Sequence, residues 1–268
     1  MKNQNDLLEI CKDNIAILTL NRPEQRNSLS INLLNLLNET ISRLGKSNKV
    51  KVIIIQANGP AFSSGHDLKE ITNARRQKEN GKKFFLKTLK SCSKLMRKIV
   101  NCPKPIICSV QGIASAAGCQ LVASSDLAIA SEKALFATPG VNIGLFCSTP
   151  MVAISRKINR KHSMEMLLTG DLINAEQAEK FGLINRSVPH LILQEETLNL
   201  AKIIAAKPVY TIKTGKKAFY KQLEMSMEKA YDYTSKVMLD NMLHKESEEG
   251  IGAFLEKRKP NWEKEDFS

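Results

Sequence analysis

The sequence predicts an α/β protein with a helical C-terminal part. Short β-branched runs closed by Gly, Pro or Asn indicate buried strands, amphipathic stretches between them indicate helices, and the last third is charged and helical without further strands. Ile15 to Leu20 (IAILTL) runs into Asn21-Arg22-Pro23, a turn signal. Ser30 to Leu44 follows, with Leu33, Leu34, Leu37, Ile41 and Leu44 at helical spacing, Ser30 as N-cap and Gly45 as stop. A second strand spans Val50 to Ile55 and ends near Asn58-Gly59-Pro60. Gly81 to Val100 is a helix with an apolar stripe (Phe85, Leu89, Cys92, Met96, Ile99) and a basic one (Lys83, Lys87, Lys90, Lys94, Lys98). Pro105 to Val110 and Leu127 to Ala130 are strands; helices are expected at His162 to Thr169, Ala175 to Phe181, Gln194 to Ala206 and Tyr210 to Gly250. A soft boundary near Pro189 separates residues 1–190, a core, from 191–268, a helical region.

Length and composition fit one large domain or a domain with an appendage: 268 residues, 43% hydrophobic and 25% charged. No run approaches the ~18 apolar residues of a membrane span, so no membrane partner is expected. Met1 to Asp6 carries an early acid and no apolar core, unlike a secretion signal or transit peptide. A cytoplasmic protein is expected, or a mitochondrial-matrix one in a eukaryote. Six cysteines are scattered without a Cys-x-x-Cys pair, and four histidines complete no zinc spacing. That excludes a disulfide scaffold and a metal site and predicts buried, reduced thiols. The net charge of +13 has two readings: a lysine-rich surface serving solubility, or attraction for polyanions and cofactor phosphates. The basic stripe likewise reads as a solvated face or as a phosphate or RNA contact.

Two segments place small residues where backbone amides can be presented: Ala61-Phe62-Ser63-Ser64-Gly65-His66-Asp67-Leu68, and Gln111 to Gln120 (QGIASAAGCQ). In the second, a strand feeds small residues into a helix, whose N-terminus offers unpaired N–H groups to a developing negative oxygen. Tight helix packing explains small residues equally well.

These segments, in order, resemble the enoyl-CoA hydratase/isomerase (crotonase) family over nearly the whole chain. Asn21-Arg22-Pro23 with Arg26-Asn27-Ser28-Leu29 is similar to its opening turn, residues 61–68 to its first oxyanion segment, and residues 113–120 with Asp126 to Ala130 to its second. Phe136-Ala137-Thr138-Pro139, Leu168-Thr169-Gly170 and the ending Gly250 to Pro260 continue the match, and residues 118–124 and 140–150 resemble one subgroup in particular. The resemblance implies a spiral of repeated strand–strand–helix units, a C-terminal region that joins subunits into trimers or dimers of trimers, and an acyl-CoA thioester substrate. No further cofactor is implied. Its carbonyl would lie between the amides of His66 and Ala117, with Arg26, Ser28, Ser64, Asp67, Leu68 and Lys69 along the CoA. One such donor typically contributes about 10²–10³ in rate.

The chain departs from the family at its two glutamates. The first position is Gln120 and the second, after Pro139, is Gly140. Gln exchanges no proton near neutral pH and Gly has no side chain, while acid–base catalysis typically contributes ~10²–10⁴-fold. Ordinary hydration is therefore expected to be very weak, and Gln120→Glu with Gly140→Glu to raise it. Decarboxylation of a malonyl-type CoA ester, which generates the enolate without a base, is one alternative. Non-catalytic acyl-CoA binding is another. RNA binding is a more distant one, against which Ile31 to Glu39 in the first helix carries no lysine. Among single residues, His66 is either an acid–base group or a pocket wall. Cys147 and Ser148 sit where a side chain can face the acyl group, with no base at fitting spacing. Asp67 fits local loop hydrogen bonding, Asp126 a structural role, and Asn142 and Gln120 the orientation of water or an acyl substituent.

Overall fold

A computed structural model describes residues 4–262. Ten strands are β1 Leu7–Lys12, β2 Ile15–Leu20, β3 Val52–Ala57, β4 Ala61–Ser63, β5 Ile106–Val110, β6 Ile113–Ser115, β7 Leu127–Ser131, β8 Leu135–Ala137, β9 Ile173–Asn174 and β10 Arg186–Val188. The helices are α1 Ile31–Lys46, α2 Leu68–Arg75, α3 Lys82–Asn101, α4 Ala117–Ser124, α5 Pro150–Ile154, α6 Arg160–Thr169, α7 Ala175–Phe181, α8 Leu193–Ala205, α9 Val209–Gln222, α10 Met227–Met242 and α11 Lys245–Leu255.

Two sheets form, one of order β1-β2-β3-β5-β7-β10 and one of order β4-β6-β8-β9. A long strand of the first sheet passes directly to a short strand of the second and then to a helix: β3–β4–α2, β5–β6–α4. The first such turn is β2, the single bridge of Leu29 to His66, and α1. Because β3, β5 and β7 begin at Val52, Ile106 and Leu127, the repeat has no fixed period in sequence.

Strands β3 and β5 are covered on both faces, as parallel strands with helices on each side must be. Alternation divides their side chains. Ile53 and Ile55 join the core that contains α1 and α3, whereas Val52, Ile54 and Ile107 pack on Ala201 and Ala205 of α8. The soft boundary near Pro189 thus falls between β10 and α8, and α8 covers the sheet.

Several expectations change. The exposed hairpin partner β1 was not foreseen; it closes through Asp13 and Asn14 at φ 51° and 61°, the left-handed pair of a two-residue hairpin turn. Gly45 does not stop α1, which runs to Lys46; a Cβ there would lie 3.3 Å from Pro103, so its smallness serves packing. On α3 Leu89 is exposed, and Thr88 and Leu95 share the buried stripe instead. Lys98 of the basic stripe donates to the Asn38 carbonyl and Ser42 Oγ, tying α3 to α1. Tyr210 to Gly250 is not one helix but three. His244 caps α11, and the buried Glu246 carboxylate turns back to accept from the Tyr210 and Thr211 amides that begin α9. Five cysteines are buried as expected, but Cys11 is exposed on β1.

Candidate functional site

The loops that follow the C-terminal ends of β2, β4 and β6 meet at one place. The first is fastened by Asn27, whose Nδ2 donates to the carbonyls of Asn58 and Ala61 while its Oδ1 accepts from the Arg22 amide. Arg22 Nη2 lies 3.1 Å from Asp67 Oδ2, and Ser28 Oγ donates to the same oxygen. Asp67 Oδ1 caps α2 by accepting from the amides of Lys69 and Glu70. Burial pushes the Asp67 carboxyl upward, but the Arg22, Glu70 and Ser28 hydrogen bonds outweigh it and hold the group below its ordinary value. Asp67 therefore organises its loop. Arg26 is exposed, contributing its carbonyl to the Ser64 amide, and Leu68 and Lys69 lie exposed on the first turn of α2.

The second and third loops touch. Gly65 has φ +94°, and a Cβ placed on it would stand 3.3 Å from the Ala117 nitrogen and 3.0 Å from the Ala116 Cβ. At Gly118 a Cβ would come 2.3 Å from the Ser63 carbonyl oxygen. Only glycine at both positions lets the chain carrying His66 rest on the first turn of α4. Ala116 enters that turn at φ 49°, ψ −115°, a conformation that typically costs about 1–3 kcal/mol in a non-glycine residue. Ala117 is the first residue of the helix and so has no intrahelical acceptor for its N–H.

The His66 side chain is half-buried, and both ring nitrogens are shielded without a hydrogen-bond partner among the described residues. Burial, partly opposed by the Leu29 backbone, moves its imidazole below the ordinary value, so the ring is neutral at pH 7.

The two positions of the absent glutamates are filled. Gln120, one turn into α4, is buried; its Nε2 donates to the Thr149 carbonyl at 3.1 Å and its Oε1 faces the Cys92 thiol at 3.7 Å. A Cβ on Gly140 would lie 2.5 Å from the Leu145 carbonyl oxygen and 2.9 Å from Cys147 Sγ. The loop is drawn tight by the Leu145 amide donating to the Gly140 carbonyl at 2.9 Å. This backbone has no room for a side chain at 140, which weighs against the expectation that glutamates at 120 and 140 raise hydration. Cys147 is buried, and burial raises its thiol pKa; burial and then the neighbouring Cys147 push Cys119 up to about 12. Thiols in this setting are not thiolates at neutral pH. Asn142 is exposed, and its amide nitrogen lies 3.0 Å from where a Cβ of Gly170 would be.

Sequence reasoning missed Arg22 and Asn27 as the residues that set the first loop. The turn Asn21-Arg22-Pro23 marks where the loop begins, but nothing local gives the partners of either side chain. Asp126 is structural, as expected: it binds Lys216 Nζ at 2.6 Å, the Tyr220 hydroxyl at 3.0 Å and the Ile106 amide, fastening α9 to the start of β7.

A family model described as enoyl-CoA hydratase/isomerase matches residues 11–265. The human protein named enoyl-CoA hydratase domain-containing protein 3, mitochondrial, is 49% identical over 253 residues, 94% of this chain and 82% of that protein. A crystal structure of human enoyl Coenzyme A hydratase domain-containing protein 3 matches with a TM-score of 0.92 at 47% identity, covering 96% of this chain and 100% of the other. An enoyl-CoA hydratase structure from Mycobacterium smegmatis matches with a TM-score of 0.92 at 42% identity, covering 97% and 99%. The human protein represents the subgroup that residues 118–124 and 140–150 resemble.

Proposed function

This chain belongs to the enoyl-CoA hydratase/isomerase family and has its crotonase-type fold, and on that footing we propose that it holds an acyl-CoA thioester between the His66 and Ala117 amides. The approach of Gly65 to the Ala117 nitrogen carries this reading, because it brings the two stretches of backbone together. CoA enters as part of the substrate, along Arg26, Ser28, Ser64, Leu68 and Lys69. Hydration of an enoyl thioester is slow, since Gln120 and Gly140 supply no carboxylate.

Calorimetry with acetyl-CoA and crotonyl-CoA tests the binding step. Saturable binding that Gly65→Ala abolishes, in a variant with a wild-type circular dichroism spectrum, is the expected result. Equal binding by that variant refutes the placement of the thioester. Crotonyl-CoA turnover at a rate typical of good hydratases refutes the second statement.

The lack of a carboxylate at Gln120 and Gly140 favours one reaction in particular. In a malonyl-type CoA ester the bond from the α-carbon to the carboxylate breaks, carbon dioxide leaves, and the electron pair becomes a thioester enolate that two amides stabilise. Carbon dioxide release from methylmalonyl-CoA separates this from passive binding. Exposed apolar residues on the last three helices, among them Phe219, Met227, Met242 and Phe254, support assembly with further copies into a homotrimer or dimer of trimers. The relatives' names support a mitochondrial location over a cytoplasmic one.

A further inference from the structure

At the opposite ends of the strands lies a cavity of about 600 Å³, lined by Asn14, Lys51, Lys202, Lys259, Asn261 and Trp262 with Asp13, Ala205, Ala206 and Pro260. Asn14 precedes β2 and Lys51 precedes β3, whereas the thioester loops follow the other end of β2 and the short strands β4 and β6 that continue from β3 and β5. Six strand residues separate the two regions by roughly 20 Å. Its lining carries three lysines and one aspartate. The strap bearing Trp262 is fixed in place: the buried Glu249 carboxylate accepts from the Asn261 amide at 2.8 Å and from Arg258 at 2.6 Å. A Cβ on Gly250 would stand 3.1 Å from the indole, so a glycine on α11 makes the seat for the ring.

We propose that this cavity is a second binding site, distinct from the thioester site, that takes a nucleoside polyphosphate: phosphates on Lys51, Lys202 and Lys259, and the base against Trp262. Lysine ammonium groups bind phosphates as point charges, and an indole offers a flat π surface to a base. The volume falls within the ~300–1,000 Å³ span of small-molecule sites.

Trp262 is the only tryptophan in the chain, so its fluorescence reports on this cavity alone. ATP, titrated into the full chain, is expected to quench it saturably, and saturating crotonyl-CoA is expected to leave that titration unchanged. Lys202→Ala and Lys259→Ala, both at exposed positions, are each expected to weaken ATP roughly tenfold, the loss of one charged hydrogen bond. Inorganic pyrophosphate is expected to bind more weakly and to quench little. Absence of saturable quenching, competition by crotonyl-CoA, or unchanged affinity in both folded lysine variants overturns the proposal. Failure of crotonyl-CoA to bind at all bears on the thioester site and leaves the ATP titration standing.

Discussion

Gly140→Ala measures how tightly the loop after β8 is packed at the position where the sequence reading places the missing second glutamate. The added Cβ would meet the Leu145 carbonyl oxygen at 2.5 Å, about 0.9 Å inside an ordinary contact of 3.4 Å, and Cys147 Sγ at 2.9 Å. The oxygen belongs to backbone and cannot swing aside. Relief requires residues 140–147 to open, which gives up the hydrogen bond from the Leu145 amide to the Gly140 carbonyl. Overpacking of this kind costs about 1–3 kcal/mol and the lost bond about 1 more. The sum, about 2–4 kcal/mol, lowers the melting temperature by roughly 5–15 °C for a chain of this size. Thermal unfolding followed by circular dichroism measures it. Gly140→Glu adds a buried charge to the same clash, so the double variant with Gln120→Glu is expected to melt lower still and to gain no crotonyl-CoA hydration. A Gly140→Ala protein that melts with the wild type refutes the reasoning, and a double variant that gains hydration shows that the loop has room after all.

Three further outcomes are expected. Lys216→Met strips the cation from Asp126 where both side chains are largely buried, 8% and 14% exposed, and should cost about 3–5 kcal/mol in urea unfolding, with part recovered when Asp126→Asn is added. Gly215→Ala, at an exposed position inside α9 with nothing within 4 Å of the new methyl, should stabilise by about 0.5–1 kcal/mol, read as a higher urea midpoint; a lower midpoint refutes an unpacked face there. Asp67 has a folded pKa below its unfolded value of about 3.9, so its stabilisation is whole above that pH and is lost as pH falls through the depressed value. The stability difference between wild type and Asp67→Asn should hold steady from about pH 7 to 5 and narrow below about 4; a difference that widens on acidification contradicts this sign.

The central strands were legible because β3 and β5 are buried on both faces, leaving unbroken β-branched runs between turn residues. Strand β1 was not, since five of its six residues are exposed and Glu9 and Lys12 interrupt it; only the Asp13–Asn14 turn announces the hairpin. The three-residue strands β4, β6 and β8 are too short for any period to show. They are strands because they pair with one another. The small residues at 63–66 and 115–118 were visible as a pattern with two readings, packing or ligand approach. The structure shows the packing role, since Gly118 packs on Ser63 and Gly65 lies against the Ala117 nitrogen, and the ligand role is the one proposed above. The partnership of Arg22 with Asp67, 45 residues apart, has no local signature at all.

The loss of the two glutamates is easiest to misread from sequence. A missing acid suggests a vacancy that mutation can refill, but neither position is vacant. Gln120 uses its amide N–H to hold the Thr149 carbonyl, an interaction that a carboxylate would turn into repulsion between two oxygens. Gly140 lies where a backbone carbonyl and a thiol already occupy the space. The nearby thiols Cys92 and Cys119 are pushed up to about 12 by burial and carry no charge that would take a proton. Neither position therefore offers a carboxylate that could take a proton from an α-carbon. On the proposed reading, an enolate formed there draws its electron pair either from a bond within a carboxylated thioester or from a proton taken by the neutral His66 ring, and not through a carboxylate at 120 or 140.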